Sequence, residues 1–217
     1  SYIMKGAETM KKIIKTVFLF ILSLVLTGLA VFAGGQIKIK LMESKLHPVT
    51  EPFSSMEVVP MCVDYIFPLN DTEKSIGWSD YTFIGTVEEI IGTQYTELEY
   101  VFNGNWFGLY DTDPITHYRI KVKHNIKGAA PEEFTLLCWG GQQPNGMLSD
   151  MNRGMPEKDT TYVFMCTDSG ENDGKIYYHN SSYLGDKNWF ENADGVNELI
   201  RQYEKAFENQ DLSVRTD

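Results

Sequence analysis

The stretch that decides the fold is Tyr118 to Ile126, which reads Tyr-Arg-Ile-Lys-Val-Lys-His-Asn-Ile. Its apolar residues are Tyr118, Ile120, Val122 and Ile126, and they alternate with the basic residues Arg119, Lys121 and Lys123. Because successive side chains of a strand point to opposite faces, this period of two predicts a strand with one buried face. His124 falls on the apolar face, where a histidine is more often a core residue than a ligand.

Similar patterns recur on both sides of this stretch. Strands are predicted at 81–91, 94–102, 134–139, 160–167 and 175–180. A helix is predicted over 194–208, where apolar residues from Val196 to Phe207 recur at helical spacing and Asp194 is placed to cap the start. Short strands followed by one helix predict a mainly β fold, an OB-like antiparallel barrel over 81–209, with a frayed tail at 210–217.

The N-terminal part contains one long apolar run, Thr16 to Gln36, without a charged residue. Such a run is long enough to cross a bilayer as a helix, and the lysines before it predict that it starts on the cytoplasmic side. We expect residues 1–9 to be upstream leader and residues 10–36 to be a membrane anchor or a signal peptide. We favour a single-pass anchor with the C-terminal domain outside. The alternative is a secreted protein cleaved near Ala33, before Gly34-Gly35.

Residues 37–80 contain half of the prolines in the chain, Pro48, Pro52, Pro60 and Pro68. Proline at this density favours extended chain over long helices. The segment is also too apolar for a free linker. We therefore expect a short stalk followed by an extended segment packed along the domain.

The charge of the chain is strongly uneven. The chain has 19 basic and 30 acidic residues, and residues 1–40 contain six lysines and one glutamate. The remainder keeps 13 basic and 29 acidic residues, a formal charge of −16. The negative electrostatic field of this part repels phosphate backbones. Nucleic acid is therefore excluded as a partner, and cationic or neutral partners are favoured.

The order of several motifs resembles a known domain. Tyr81-Thr82-Phe83-Ile84-Gly85-Thr86-Val87 comes first, followed by Tyr118-Arg119-Ile120-Lys121-Val122 and Ile126-Lys127-Gly128, then Cys138-Trp139-Gly140-Gly141 and Thr161-Tyr162-Val163-Phe164. Over residues 79–167 this order resembles the OB-type domain of netrins and tissue inhibitors of metalloproteinases, which also occurs in bacterial surface proteins. The resemblance implies a fold only, because the Cys-x-Cys motif of the protease inhibitors is missing here.

The chain has three cysteines, Cys62, Cys138 and Cys166. If the strands of Cys138 and Cys166 are neighbours, strand parity allows a disulfide between them, although apolar burial explains both residues equally well. Cys138, with His179 and Asn188 after it, also permits an alternative function as an exported cysteine hydrolase. The position of Cys138 in an apolar strand pattern and the short spacings argue against that alternative.

Metal-binding patterns are weak in this sequence. The four histidines are scattered, without the paired spacing of zinc sites. Asp111 and Asp113 are the weak candidates for calcium, because no EF-hand-like spacing surrounds them. We expect neither a metal nor another cofactor.

The segment from Tyr100 to Tyr110 is unusually aromatic. Its aromatic residues are Tyr100, Phe102, Trp106, Phe107 and Tyr110, around Gly104 and Gly108. One interpretation is a hairpin whose rings fold back onto the core. The other is a displayed contact surface, since aromatic residues are enriched at interfaces. The sequence as a whole predicts a membrane-tethered or secreted binding module of a bacterial cell surface, with a protein or a cell-surface polymer as partner.

Overall fold

The computed structural model describes residues 2–60, 70–102, 107–150, 154–169 and 174–215, without the side chains of residues 2–13, 102, 107 and 179. The chain divides into two compact units, residues 1–44 and 45–217.

The first unit is one helix, α1 (Tyr2–Glu43). Its part from Ile14 to Glu43 is 30 residues long and contains an 18-residue stretch with a mean hydropathy of 2.5, which suits either a membrane span or a signal sequence. The apolar run predicted at 16–36 lies within it. The helix does not stop at Gln36, so residues 37–43 are helical and not part of a stalk. The first helix-breaking proline after the apolar run is Pro48, so no residue before it forces an earlier end.

The second unit is mainly β. In chain order it contains β1 (Leu46–His47), a 3-10 turn (Phe53–Ser55), β2 (Val58–Pro60), α2 (Thr72–Trp78), β3 (Tyr81–Gln94), β4 (Leu98–Phe102), β5 (Phe107–Asp111), β6 (Ile115–Lys127), β7 (Glu133–Trp139), β8 (Gly141–Gln142), β9 (Leu148–Asp150), β10 (Thr160–Asp168), β11 (Ile176–Asp186), α3 (Trp189–Asn192), α4 (Val196–Glu208) and a second 3-10 turn (Leu212–Val214).

Five of these strands close into a barrel in the order β3-β6-β7-β11-β10-β3. Numbered one to five along the chain, they pair 1-2-3-5-4-1. All neighbours are antiparallel except β7 and β11, which run parallel. The predicted OB-like barrel is therefore confirmed, with one parallel pair that strand patterns alone do not reveal.

The barrel interior is filled by side chains from all five strands. Its fully or nearly fully buried members include Phe83, Val87, Tyr118, Ile120, Leu136, Cys138, Phe164, Cys166 and Tyr178. Phe53, from the 3-10 turn after β1, also packs into this cluster with 2% of its surface exposed. The extended segment at 45–60 thus packs against the domain, with Phe53 buried and Val49 and Met56 partly buried against the core cluster, and residues 61–69 lie outside the described part.

The predicted face of β6 holds for Tyr118, Ile120 and Val122 but not for Ile126 and His124. The pairing of β3 with β6 shifts register where Ile84 and Gly85 face His124 and Val122, so Lys123 is an extra residue on β6. A bulge of this kind reverses the side-chain parity beyond it. Ile126 therefore lies outside the barrel, and His124 Nε2 lies 3.8 Å from Glu204 Oε1 of α4.

The predicted C-terminal helix packs on the outside of the barrel. Leu199, Ile200, Tyr203 and Phe207 of α4 cover an outer cluster of Ile76, Ile84, Ile126, Val163 and Met165. The predicted cap is wrong: Gly195, with φ of 88°, is the N-cap in place of Asp194, and no side chain caps this end. Helix α2, which the proline-rich pattern does not predict, is capped by Asp71, whose side chain accepts a hydrogen bond from Lys74 N.

Candidate binding face

An exposed aromatic pair lies on the outer face of β7 and β11. The rings of Trp139 and Tyr177 stack with centroids 6.0 Å apart and an angle of 20° between their planes. Trp139 exposes 36% of its surface, while Leu137 on the same face of β7 exposes 6%. Both rings point outward because their neighbours Cys138, Ile176 and Tyr178 point into the barrel. The stack therefore presents aromatic surface to solvent above a buried leucine.

The chain turns sharply directly after Trp139. Gly140 has φ of 111°, and a Cβ there would lie 2.7 Å from the carbonyl oxygen of Ser149. Only glycine fits such a position without strain. Gly140 N also donates to Pro114 O at 2.7 Å. This bond links the end of β7 to the loop that joins β3 to β6.

That loop contains the aromatic segment found in the sequence. Strands β4 and β5 form an antiparallel hairpin from Leu98 to Asp111. Leu98 and Leu109 are buried at its base, whereas Tyr100 exposes 45% of its surface. Tyr110 is half-buried, and its hydroxyl lies 3.3 Å from Ser149 Oγ. Trp106 and the side chains of Phe102 and Phe107 lie outside the described residues.

The base of the hairpin is closed by the carboxylate of Asp111. It accepts backbone N–H bonds from Thr96 at 2.6 Å, from Glu97 at 3.0 Å and from Asp113 at 3.0 Å. Burial raises the pKa of Asp111, although these three bonds work in the opposite direction. Of the two predicted calcium candidates, Asp111 thus uses its carboxylate oxygens as a cap of the turn, and Asp113 contributes its backbone N–H to that cap. Across the described ranges, no group of three or more His, Cys, Asp or Glu side chains is placed to hold a metal ion.

Two further polar side chains hold this base. Gln143 is 1% exposed, and its amide bonds the backbone of Asp111 and Ser149 Oγ. The hydroxyl of Tyr95 donates to Gln142 O at 3.1 Å. Burial, followed by the nearby Asp111 carboxylate, raises the pKa of Tyr95 to about 12. The hairpin is therefore fixed to the barrel at its base by buried polar contacts.

His117 lies on the same face of the sheet as the aromatic pair, with Leu137 between it and Tyr177. Its Nε2 lies 3.2 Å from Gln94 Oε1. Burial lowers the pKa of His117. His117 is therefore a half-buried polar residue of this face that favours its neutral form.

Cys138 and Cys166 are both buried and are not joined to each other, so the disulfide allowed by parity is not present. The physical reason is topology: β11 lies between β7 and β10. Strands are spaced about 4.8 Å apart, so residues two strands apart are separated by more than the roughly 7 Å that a disulfide spans.

The hydrolase alternative is not supported by this geometry. Cys138 is 1% exposed inside the barrel, and its Sγ lies 3.8 Å from Met155 Sδ. A substrate has no access to a thiol in that position. His179 belongs to β11, but its side chain lies outside the described part, and Asn188 lies on the exterior, ahead of α3.

Sequence reasoning missed the stack itself. Trp139 lies in a stretch that is apolar on both faces, and Tyr177 lies between Ile176 and Tyr178, so its stretch shows no clear alternation either. The available signal was parity: once Cys138 is assigned to the interior, Trp139 must point outward.

No family model matches this chain, and no curated protein is similar to it at a significant level.

Proposed function

We propose that the unit of residues 45–217 is an extracytoplasmic binding module that holds a cell-surface polysaccharide on the Trp139–Tyr177 face. In this proposal α1 anchors the module in the membrane with the C-terminal unit outside, or directs its secretion. The domain is of the netrin-like OB type.

The observation that supports this function is the solvent-exposed stack of Trp139 and Tyr177 on a rigid sheet. In the OB fold, the face of the second and third strands and the loop between the first two strands are a common position for bound oligosaccharides and oligonucleotides. Trp139 lies on the third barrel strand, and the Tyr100 hairpin lies in the loop between the first two. Aromatic faces bind the apolar faces of sugar rings, whereas the acidic charge of the unit disfavours nucleic acid.

A co-sedimentation assay tests this function. The full chain in lipid nanodiscs is mixed with bacterial sacculi that retain their attached polymers, and the bound fraction is measured against sacculus concentration. We expect saturable binding, weakened about ten-fold by Trp139→Ala or Tyr177→Ala, which corresponds to about 1.4 kcal/mol.

The matched control is Tyr183→Ala, because Tyr183 is a 70% exposed aromatic residue on the same strand as Tyr177. We expect it to bind like the wild type. Absence of saturable binding, or equal binding by all four proteins, contradicts the proposed function.

A further inference from the structure

A second concave surface lies on the outside of the barrel, away from the aromatic stack. It is a groove of about 480 Å³ between the outer face of β3 and β6, the loop before β10 and the start of α3. Four lysines line it: Lys121, Lys123, Lys158 and Lys187. The volume is in the range of small-molecule sites and exceeds that of one inorganic anion.

The lysines concentrate positive charge in an otherwise acidic unit. They are four of the 13 basic residues that follow residue 40, against 29 acidic ones. Lys123 pairs with Glu191 at 3.4 Å, and Lys187 pairs with Asp159 at 3.2 Å. Lys121 and Lys158 form no ion pair with any residue that the structure describes. The groove therefore has two ammonium groups available to an anion.

The same groove also holds hydrogen-bond acceptors. Glu88, Asp159 and Glu191 contribute carboxylates, and the side-chain amide of Asn188 makes no capping bond to α3. The two ion pairs are weak and exchangeable, because in each at least one side chain is more than half exposed. Carboxylates repel a ligand that is purely anionic, but they accept hydrogen bonds from hydroxyl groups. A mixture of free lysines and carboxylates therefore suits a ligand that carries both an anionic group and hydroxyls.

The groove is held in a fixed position beside the strand. Asp159 has φ of 58°, and its N–H donates to Val87 O at 2.8 Å, which fixes the loop of Lys158 to β3. Lys123 is also restrained, with 19% of its side chain exposed. Positions 117 and 121 lie on the same outer face of β6, and His117 pairs with Leu137 on β7, the strand that carries Trp139, so the groove and the aromatic stack lie roughly 15–20 Å apart on one side of the sheet.

We infer that this groove binds a phosphorylated sugar unit, with Lys121 and Lys158 on the phosphate and the carboxylates and Asn188 on the hydroxyls. The inference rests on the proposed function in that it makes the polysaccharide an anionic one. A chain that crosses the outer face from β7 onto β6 contacts the stack with one sugar and the groove with a phosphorylated sugar farther along.

Calorimetric titration of the full chain in nanodiscs with glucose 6-phosphate, glucose and inorganic phosphate tests the inference. We expect saturable binding of glucose 6-phosphate that weakens as salt is raised, and at least ten-fold weaker binding of the other two. The double variant Lys121→Gln/Lys158→Gln should lose at least ten-fold in affinity. The matched control Lys175→Gln/Lys205→Gln, which removes two exposed lysines elsewhere, should bind like the wild type.

Each negative result has a distinct meaning. Absence of saturable glucose 6-phosphate binding, or equal affinity of the two double variants, contradicts the assignment of the groove as the binding site. Equal affinity for inorganic phosphate and for glucose 6-phosphate contradicts the recognition of sugar hydroxyls by the groove. Trp139→Ala should leave glucose 6-phosphate binding unchanged. A wild-type protein that binds glucose 6-phosphate but not sacculi refutes only the proposed function, and a wild-type protein that binds sacculi but not glucose 6-phosphate refutes only this inference.

Discussion

The side-chain amide of Gln143 pairs with the main chain of Asp111 at both of its ends. Gln143 Oε1 accepts from Asp111 N at 2.9 Å, and Gln143 Nε2 donates to Asp111 O at 2.7 Å. The Gln143 side chain thus makes with Asp111, the last residue of β5, the two backbone hydrogen bonds that a neighbouring strand would make. Gln143 lies directly after β8, in the chain segment that follows Trp139. This pairing therefore connects the β4–β5 hairpin to that segment.

Gln143→Ala tests this pairing. The variant leaves a buried N–H and a buried carbonyl of Asp111 without their partner, which costs about 1–3 kcal/mol of unfolding free energy. Urea unfolding followed by circular dichroism measures the loss. Gln202→Ala, on the exposed side of α4, is the control and should change stability by less than about 0.5 kcal/mol. Equal stability of the two variants contradicts a structural role for Gln143.

Asp111→Asn tests the cap of the hairpin. The carboxylate accepts three N–H bonds, whereas an amide replaces one acceptor with a donor that faces a backbone N–H. We expect a loss of about 1–3 kcal/mol and faster hydrogen exchange at the amides of Thr96 and Glu97. Asp113→Asn, two residues away, is the matched control. Unchanged exchange in Asp111→Asn would show that the cap does not hold the turn.

The lowered pKa of His117 predicts the direction of one pH effect. The folded state binds a proton at His117 less readily than the unfolded chain, whose value is 6.5. The stability from neutral His117 is fully present above pH 6.5 and is lost as the pH falls from there through the lowered folded pKa. We expect the unfolding free energy to fall less steeply between pH 7 and pH 5 in His117→Asn than in the wild type. Identical slopes, or a ring pKa above 6.5 by NMR, contradict this assignment.

Removal of the buried Tyr118 hydroxyl is predicted to stabilise the protein. It is 0% exposed in the barrel interior, and its hydroxyl has no hydrogen-bond partner among the described residues. The same burial raises its pKa well above the usual value. Removing an unsatisfied buried hydroxyl relieves a desolvation cost, so Tyr118→Phe should raise the unfolding free energy by about 1 kcal/mol.

The control for Tyr118 is Tyr162→Phe. The Tyr162 hydroxyl accepts a hydrogen bond from Glu157 N at 3.0 Å, so its loss should lower stability by about 1 kcal/mol. Opposite signs for the two variants are therefore expected in thermal unfolding. A decrease for both would mean that the Tyr118 hydroxyl has a partner.

The buried thiols predict chemical inertness. Burial, followed by the neighbouring Cys138, raises the pKa of Cys166 well above its usual value, and the thiolate is the reactive form. In a Cys62→Ser background we expect a thiol-directed reagent to label Cys138 and Cys166 only under unfolding conditions. Rapid stoichiometric labelling of Cys138 in the native protein would contradict the described interior and favour the hydrolase alternative.

Local patterns in the sequence predict the inner face of β6 at Tyr118, Ile120 and Val122, and they predict the helix that covers the outside. They fail at Ile126, because the bulge at Lys123 belongs to the curvature of the closed barrel and leaves no mark in the alternation. The role of Asp111 also escapes sequence reasoning, since its three donors are arranged only once the hairpin and the barrel have formed. Trp139 required knowledge of which face of β7 is internal.

The position of β11 has a consequence for the order in which the protein is made. This strand enters between β7 and β10, which both precede it in the chain. Until β11 has been synthesised, β7 and β10 each keep one open edge. Unpaired strand edges can pair with another chain and so promote aggregation. Pairings between distant segments also close slowly. Because β11 contains Tyr177 as well, a growing chain completes the Trp139–Tyr177 stack at the same step at which β7 and β10 lose their open edges.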